Sequence, residues 1–239
     1  LSLVGSEMCI RDRVGIMSMQ RIANYGSFLQ AYALKQLIEE VGCNVEFVDY
    51  HVGAPVITEN ADSKNKVVRK IEKGLETFRY RAPLAHKLSF IRYKQSFAQK
   101  YMPLLGITDE MNYNPTVDCL VIGSDEVFNC IQKNSNVGYS LELFGKNNHA
   151  KKLITYAASF GNTTLEKLEK YKKANEVGAL LKKFDAISVR DANSGTIVEQ
   201  LTGKEPVYNL DPVLTYDYMN CCDKIPQVQT NEKYLILYA

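Results

Sequence analysis

The chain has 239 residues, 46% of them hydrophobic and 23% charged, with a formal net charge of +2. That length suits one large domain or two small ones, and that composition supports a packed core and excludes global disorder. The charge is too small to indicate nucleic acid by itself, and no apolar run approaches the roughly 20 residues that a membrane span needs.

The chain opens on Leu1, and its first stretch, SLVGSEMCIRDR, resembles the in-frame translation of a sequencing-library adapter. Residues 1–13 are therefore set aside as a non-native leader, which also lacks the apolar centre of a signal peptide. Val14 to Met19 reads as the first strand and Gln20 to Gly26 as a loop. Ser27 and Gln30 have the S-x-x-Q spacing of a capping box, so the first helix is expected to open there. Leu34, Leu37, Ile38 and Val41 share one face of that helix, and Gly42 suits its end. Val45 to Val48 make the second strand, completing a βαβ unit with a right-handed crossover.

Residues 51–63 read as loop. Residues 64–100 read as two helices separated at Pro83, the first carrying Val67, Val68, Ile71, Leu75 and Phe78 on one face. This stretch holds eleven Lys and Arg, against only Glu72 and Glu76. Its positive face is either an ordinary solvated surface or a contact for an anionic membrane.

Val117 to Asn129, VDCLVIGSDEVFN, is the most informative segment. A continuous apolar run ended by Gly and small polar residues reads as a strand buried on both faces. Leu153 to Ser159 reads as another such strand, Leu165 to Lys183 as one amphipathic helix, and Asp185 to Val189 as a strand. Asp191 to Leu201 follows as a helix stopped by Gly203, and Val207 to Leu210 as a short strand. Alternating strands and helices predict an α/β fold with a mainly parallel sheet and helices on both faces. Tyr216 to Glu232 reads as a linker. The expected division is a domain over 14–222, with its basic insertion at 64–100, and a linker and first strand of a further domain over 223–239. YLILYA at the end is strand-like, so truncation at both ends is expected.

Six Cys and three His show neither metal-ligand nor redox spacing, and Cys221 and Cys222 are adjacent. The reading is buried, reduced thiols in a cytoplasmic protein, with no metal and no cofactor.

Ligands of open α/β sheets bind beyond the carboxyl ends of the strands, and four such ends carry unusual polar residues. At Asn24-Tyr25-Gly26, a helix N-terminus either binds an anion or is simply a turn capped by Asn24. GxGxxG is absent, so a dinucleotide site is not supported. At Gly123-Ser124-Asp125-Glu126, two adjacent acids either supply an acid/base group or complement a helix dipole. At Ser159, small residues admit a ligand or tight packing. Arg190 either grips a carboxylate or phosphate with two parallel hydrogen bonds, or pairs with Asp191.

In order and spacing, NYGSFLQAYALKQ, VDCLVIGSDEVFN, ITYAASFG, FDAISVRDANS and LDPVL make the chain resemble the polysaccharide pyruvyl transferase family from about Val14 to Ala239. The resemblance implies the N-terminal, Rossmann-like half of a glycosyltransferase-B-type fold. It implies pyruvyl transfer from phosphoenolpyruvate, as donor substrate, to a sugar or lipid-linked glycan acceptor in cell-surface polysaccharide assembly. Such work would place the protein in the cytoplasm or at the inner face of the membrane. By position, Asn24, Gly26, Gly123, Ser124, Asp125, Ser159, Arg190 and Asp211 match the family pattern. Asp125 and Glu126 become the expected acid/base groups, and the others expected substrate contacts. A His-bearing SFHG-like segment, usual in the family's second domain, is not in the chain, so the fragment is expected to be inactive. Two alternatives stay open: a nucleotide-sugar glycosyltransferase of similar fold, and a non-catalytic binding member of the assembly machinery.

Overall fold

The computed structural model of the chain describes residues 12–56, 84–132, 137–219 and 221. Among them, six strands form one sheet in the order β2-β1-β3-β4-β5-β6, every pairing parallel. The strands are β1 (Arg13–Met17), β2 (Asn44–Phe47), β3 (Cys119–Asp125), β4 (Lys152–Ala158), β5 (Ser188–Val189) and β6 (Val207–Tyr208). The helices are α1 (Tyr25–Glu40), α2 (Leu84–Leu105), α3 (Leu165–Lys170), α4 (Ala174–Leu181), α5 (Ala192–Thr202) and α6 (Pro212–Thr215), with a 3-10 helix at Leu141–Phe144. This is the expected Rossmann-like α/β architecture. β1 takes in Arg13, the last residue of the leader, whose guanidinium pairs with Glu46 of β2 at 2.6 Å. The rest of the leader up to residue 11, the first insertion helix, and the boundary at 222/223 with the strand beyond lie outside the described residues.

β3 shows why its run of apolar residues is continuous rather than alternating. Cys119 and Val121 pack with Val14, Ile16 and the α1 side chains Phe28, Leu34 and Ile38. Leu120 and Ile122 point the other way, into a core with Met17, Val48, Val177 and Ile197. Successive side chains of a strand alternate faces, so a strand covered on both sides must be apolar at every position. Each such side chain contributes roughly 1.5–3 kcal/mol by burial.

Two expected helices differ in detail. α1 opens at Tyr25, not at Ser27: Asn24 is its N-cap, accepting from the Gly26 N–H at 2.7 Å. Asn24 gives the cap three residues upstream of Ser27, which frees Ser27 and Gln30 for other partners. At the far end Val41 is half exposed and drops out of the buried face, while Gly42 takes φ 91° and stops the helix. The single helix expected over Leu165 to Lys183 is two helices, α3 and α4, parted at Tyr171–Lys173. Leu168 and Val177 are both buried but nine residues apart, which on one straight helix puts them roughly 180° apart. The chain breaks with Lys172 at φ 56°, and both side chains then face one core.

Pro83 directly precedes α2, where the second insertion helix was expected. Phe97 of α2 is 1% exposed, against Tyr25, Phe28 and Tyr101. After α6, Tyr216 and Cys221 return to α1 and are buried with Ala33 and Leu37. The strand expected over Asp185 to Val189 shortens to β5 plus one bridge, Ile154 to Ala186.

Candidate active site

The chain runs from β1 to β2 on one side and continues through β3 on the other, so the topology reverses between β1 and β3. A crevice opens at such a switch point, beyond the carboxyl ends of the strands. Three side chains, one just after β1 and two from α1, fasten the tip of β3 there. The Ser18 hydroxyl donates to the Ser124 carbonyl at 3.1 Å. The Ser124 hydroxyl donates to Gln30 Oε1 at 3.1 Å, and the Ser27 hydroxyl to Asp125 Oδ2 at 3.2 Å. Ser27 and Gln30 were expected to cap α1 and instead bind β3. The signal was available: they extend the i, i+3, i+7 stripe of Leu34 and Leu37 toward the helix N-terminus, so they had to face the sheet. Ser18 carried no such signal, because its partner is a backbone carbonyl 106 residues away.

The backbone of the tip is unusual. Gly123 has φ 131°, and a Cβ there would lie 2.3 Å from the Tyr156 carbonyl oxygen. The Gly123–Ser124 peptide is cis, and Asp125 sits at φ 76°. A non-glycine residue in the left-handed region costs roughly 1–2 kcal/mol, and such positions concentrate at functional sites. The result is a carboxylate that turns back over the sheet edge. Asp125 Oδ1 accepts from the Glu126 N–H at 2.8 Å and lies 3.5 Å from Arg190 Nη2.

Arg190 joins three strand ends. Its Nη1 donates to Asp211 Oδ2 at 2.6 Å while Nη2 faces Asp125. Asp211 is itself fixed, since its Oδ1 caps α6 by accepting from Val213 N–H at 3.0 Å. Asp125, Arg190 and Asp211 retain 17–22% of their side-chain exposure, so all three are reached by solvent. The partner expected for Arg190 as a purely structural residue was Asp191; the structure gives it Asp125 and Asp211 instead. Asp191 caps α5 through Ser194 N–H at 2.8 Å and accepts from the Ser159 hydroxyl at 2.6 Å. Ser159 is buried, and its hydroxyl also accepts from Gly161 N–H at 2.9 Å.

Glu126, although adjacent to Asp125, has different company. Its Oε2 accepts from Asn129 Nδ2 at 2.8 Å, and its carboxylate leans on the bare Cα of Gly161. Asn24 and Gly26 are exposed at the start of α1, one N–H of which is already used by the Asn24 side chain. The Tyr25 ring between them packs edge-on against Phe97 and Tyr101 of α2. Nearby, Arg21 grips Asp49 with two bonds of 2.6 and 2.7 Å, which holds its own pKa above the ordinary value. Among the described residues, no group of three His, Cys, Asp or Glu side chains is arranged to hold a metal ion.

The sequence-predicted residues therefore fall into one line along the sheet edge. Arg190 touches both Asp125 and Asp211; Ser124 ties the tip of β3 to Gln30; Ser159 and Glu126 belong to the neighbouring β4–α5 network; Asn24 and Gly26 lie exposed at the start of α1. Two carboxylates, those of Asp125 and Asp211, flank the Arg190 guanidinium, and Glu126 and Asp191 are the next residues along the chain from Asp125 and Arg190. A family model for polysaccharide pyruvyl transferase matches residues 24–239 and so takes in all of these positions. No curated protein and no solved structure matches the chain significantly. With the site residues and most of the chain inside a single match, this protein belongs to the polysaccharide pyruvyl transferase family.

Proposed function

We propose that this domain works in an enzyme that transfers the pyruvyl group of phosphoenolpyruvate to a sugar of a cell-surface polysaccharide precursor. The observation that carries the reading is the Asp125–Arg190–Asp211 line, which runs along the carboxyl ends of the strands from the topological switch point at β3. Ketal formation adds a proton to the CH2 carbon of the donor and leaves a cationic C2. One sugar hydroxyl then attacks that carbon, phosphate departs, and a second hydroxyl closes the ring. One proton is gained at carbon and two are lost from the hydroxyls, the excess leaving with phosphate. Asp125, held in place by Ser27, the Glu126 N–H and Arg190, suits proton transfer with an acceptor hydroxyl. Glu126 is the second acid/base candidate.

The charge distribution supports different places for the two substrates. A guanidinium already flanked by two carboxylates, with Glu126 and Asp191 adjacent in the chain, favours a hydroxyl-rich acceptor and resists a donor carrying both phosphate and carboxylate. Arg190 can meet the donor carboxylate only by exchanging one of its aspartate partners. The remaining cations for the donor are then supplied by a facing domain of the glycosyltransferase-B type.

The test is phosphate release from phosphoenolpyruvate by the intact enzyme, with and without acceptor. Asp125→Asn should lower kcat by roughly 100-fold or more. Arg190→Ala should raise the donor KM. Turnover of a nucleotide sugar with phosphoenolpyruvate untouched would overturn the assignment.

A further inference from the structure

No described helix is long and apolar enough to cross a membrane. α2 has instead the make-up of a helix that lies on one. Tyr93, Phe97 and Tyr101 form its inner stripe, packed against α1. Leu88 and Ile91 lie roughly 120–180° around the helix from Phe97. They are 55% and 47% exposed. The 22 residues of α2 include Lys87, Arg92, Lys94 and Lys100 and no Asp or Glu. A second, exposed apolar pair on a helix whose charged residues are all basic suits contact with an anionic membrane surface.

We infer that α2 docks the protein on an anionic lipid bilayer through Leu88, Ile91 and the exposed Arg92, on a helix whose charged residues are all basic. Charge complementarity selects this occupant. A partner of the same sign is repelled, which disfavours the equally basic stretch that precedes α2 in the chain. Leu88 and Ile91 stand on a convex helix surface, and a bilayer needs no matching groove, whereas an acidic protein would. Docking there has a consequence for the site. Tyr25, at the start of α1, packs on Tyr93, Phe97 and Tyr101, so the membrane-bound helix adjoins Asn24 and Gly26.

The chain contains no Trp, so Ile91→Trp supplies a single fluorescent reporter on the face in question. The full 239-residue chain is titrated with phosphatidylcholine vesicles, and with vesicles containing about 30% phosphatidylglycerol, a fraction high enough for a negative surface potential. The expected result is solvent-exposed emission in buffer and with neutral vesicles, and a blue shift with anionic vesicles that about 1 M salt reverses. In the reporter background, Lys87→Gln with Arg92→Gln should weaken vesicle partitioning roughly tenfold or more. Leu88→Asn should weaken partitioning as well and leave the far-ultraviolet circular dichroism unchanged. Three results would each overturn the inference: no shift with anionic vesicles, an equal shift with neutral ones, or blue emission before any vesicle is added. A shift elicited by polyglutamate and not by vesicles would reassign the face to an acidic protein.

Discussion

Asp125 shows how much a single residue owes to its neighbours. Its position at φ 76° is unfavourable in itself and is held by Ser27, Ser159 N–H and Arg190 together. The glycine two residues earlier makes that turn feasible, because any side chain at 123 runs into the Tyr156 carbonyl. Gly123→Ala should therefore cost roughly 2–4 kcal/mol in urea denaturation, far above the ordinary surface substitution. An unchanged midpoint would show that the β3–β4 pair can open without penalty. Asp125 and Arg190 were legible in the sequence as polar residues at strand ends, and Asp211 through the family pattern. That one guanidinium bridges two of them was not, since Arg190 and Asp211 are 21 residues apart and Asp125 is further still. The local alternative, pairing with Asp191, was the only one that spacing could suggest.

Secondary-structure elements were read well where one periodicity ran unbroken. β1, β3, β4 and α5 lie within a residue or two of their expected limits, because burial on two faces or on one stripe leaves a clear pattern. Reading failed where two patterns met. The α3–α4 break joins two helical stripes whose phases disagree, and the chain resolves the conflict with a left-handed Lys172. Lys172→Gly should relieve that conformation and raise stability by roughly 0.5–1 kcal/mol. Urea unfolding measures it directly; a loss of stability would mean that the Lys side chain contributes more than its backbone costs. The N-terminus of α1 failed for a different reason. Asn24 and Ser27 are both competent caps, and the choice fell to Asn24 because the sheet needed Ser27 and Gln30.

For the molecule as a whole, the parallel sheet buries thiols and phenols along with its aliphatic side chains. Burial pushes Cys119 from 9.0 up to about 11, Cys130 from 9.0 to about 12 and Tyr50 from 10.0 to about 12. Each group holds its proton more tightly folded than unfolded. The unfolded chain thus loses protons first as pH rises, and stability falls with pH. The decline should begin near pH 9 and amount to roughly 1.4 kcal/mol per pH unit for each titrating group. Urea midpoints from pH 8 to 11 test this, and Cys119→Ala should flatten the profile; a flat profile in the unsubstituted protein would contradict it. The alternation of strands and helices, the double-sided burial of β3 and the family likeness could all be read from residues in order, because hydrophobic periodicity and motif spacing are local properties of the chain. The partners of Arg190, the turn of Asp125 over the sheet edge and the use of Ser27 and Gln30 as ties to β3 could not. Those depend on which distant strand ends come to lie side by side, and that is settled by the parallel pairing order, in which neighbours in space are far apart along the chain.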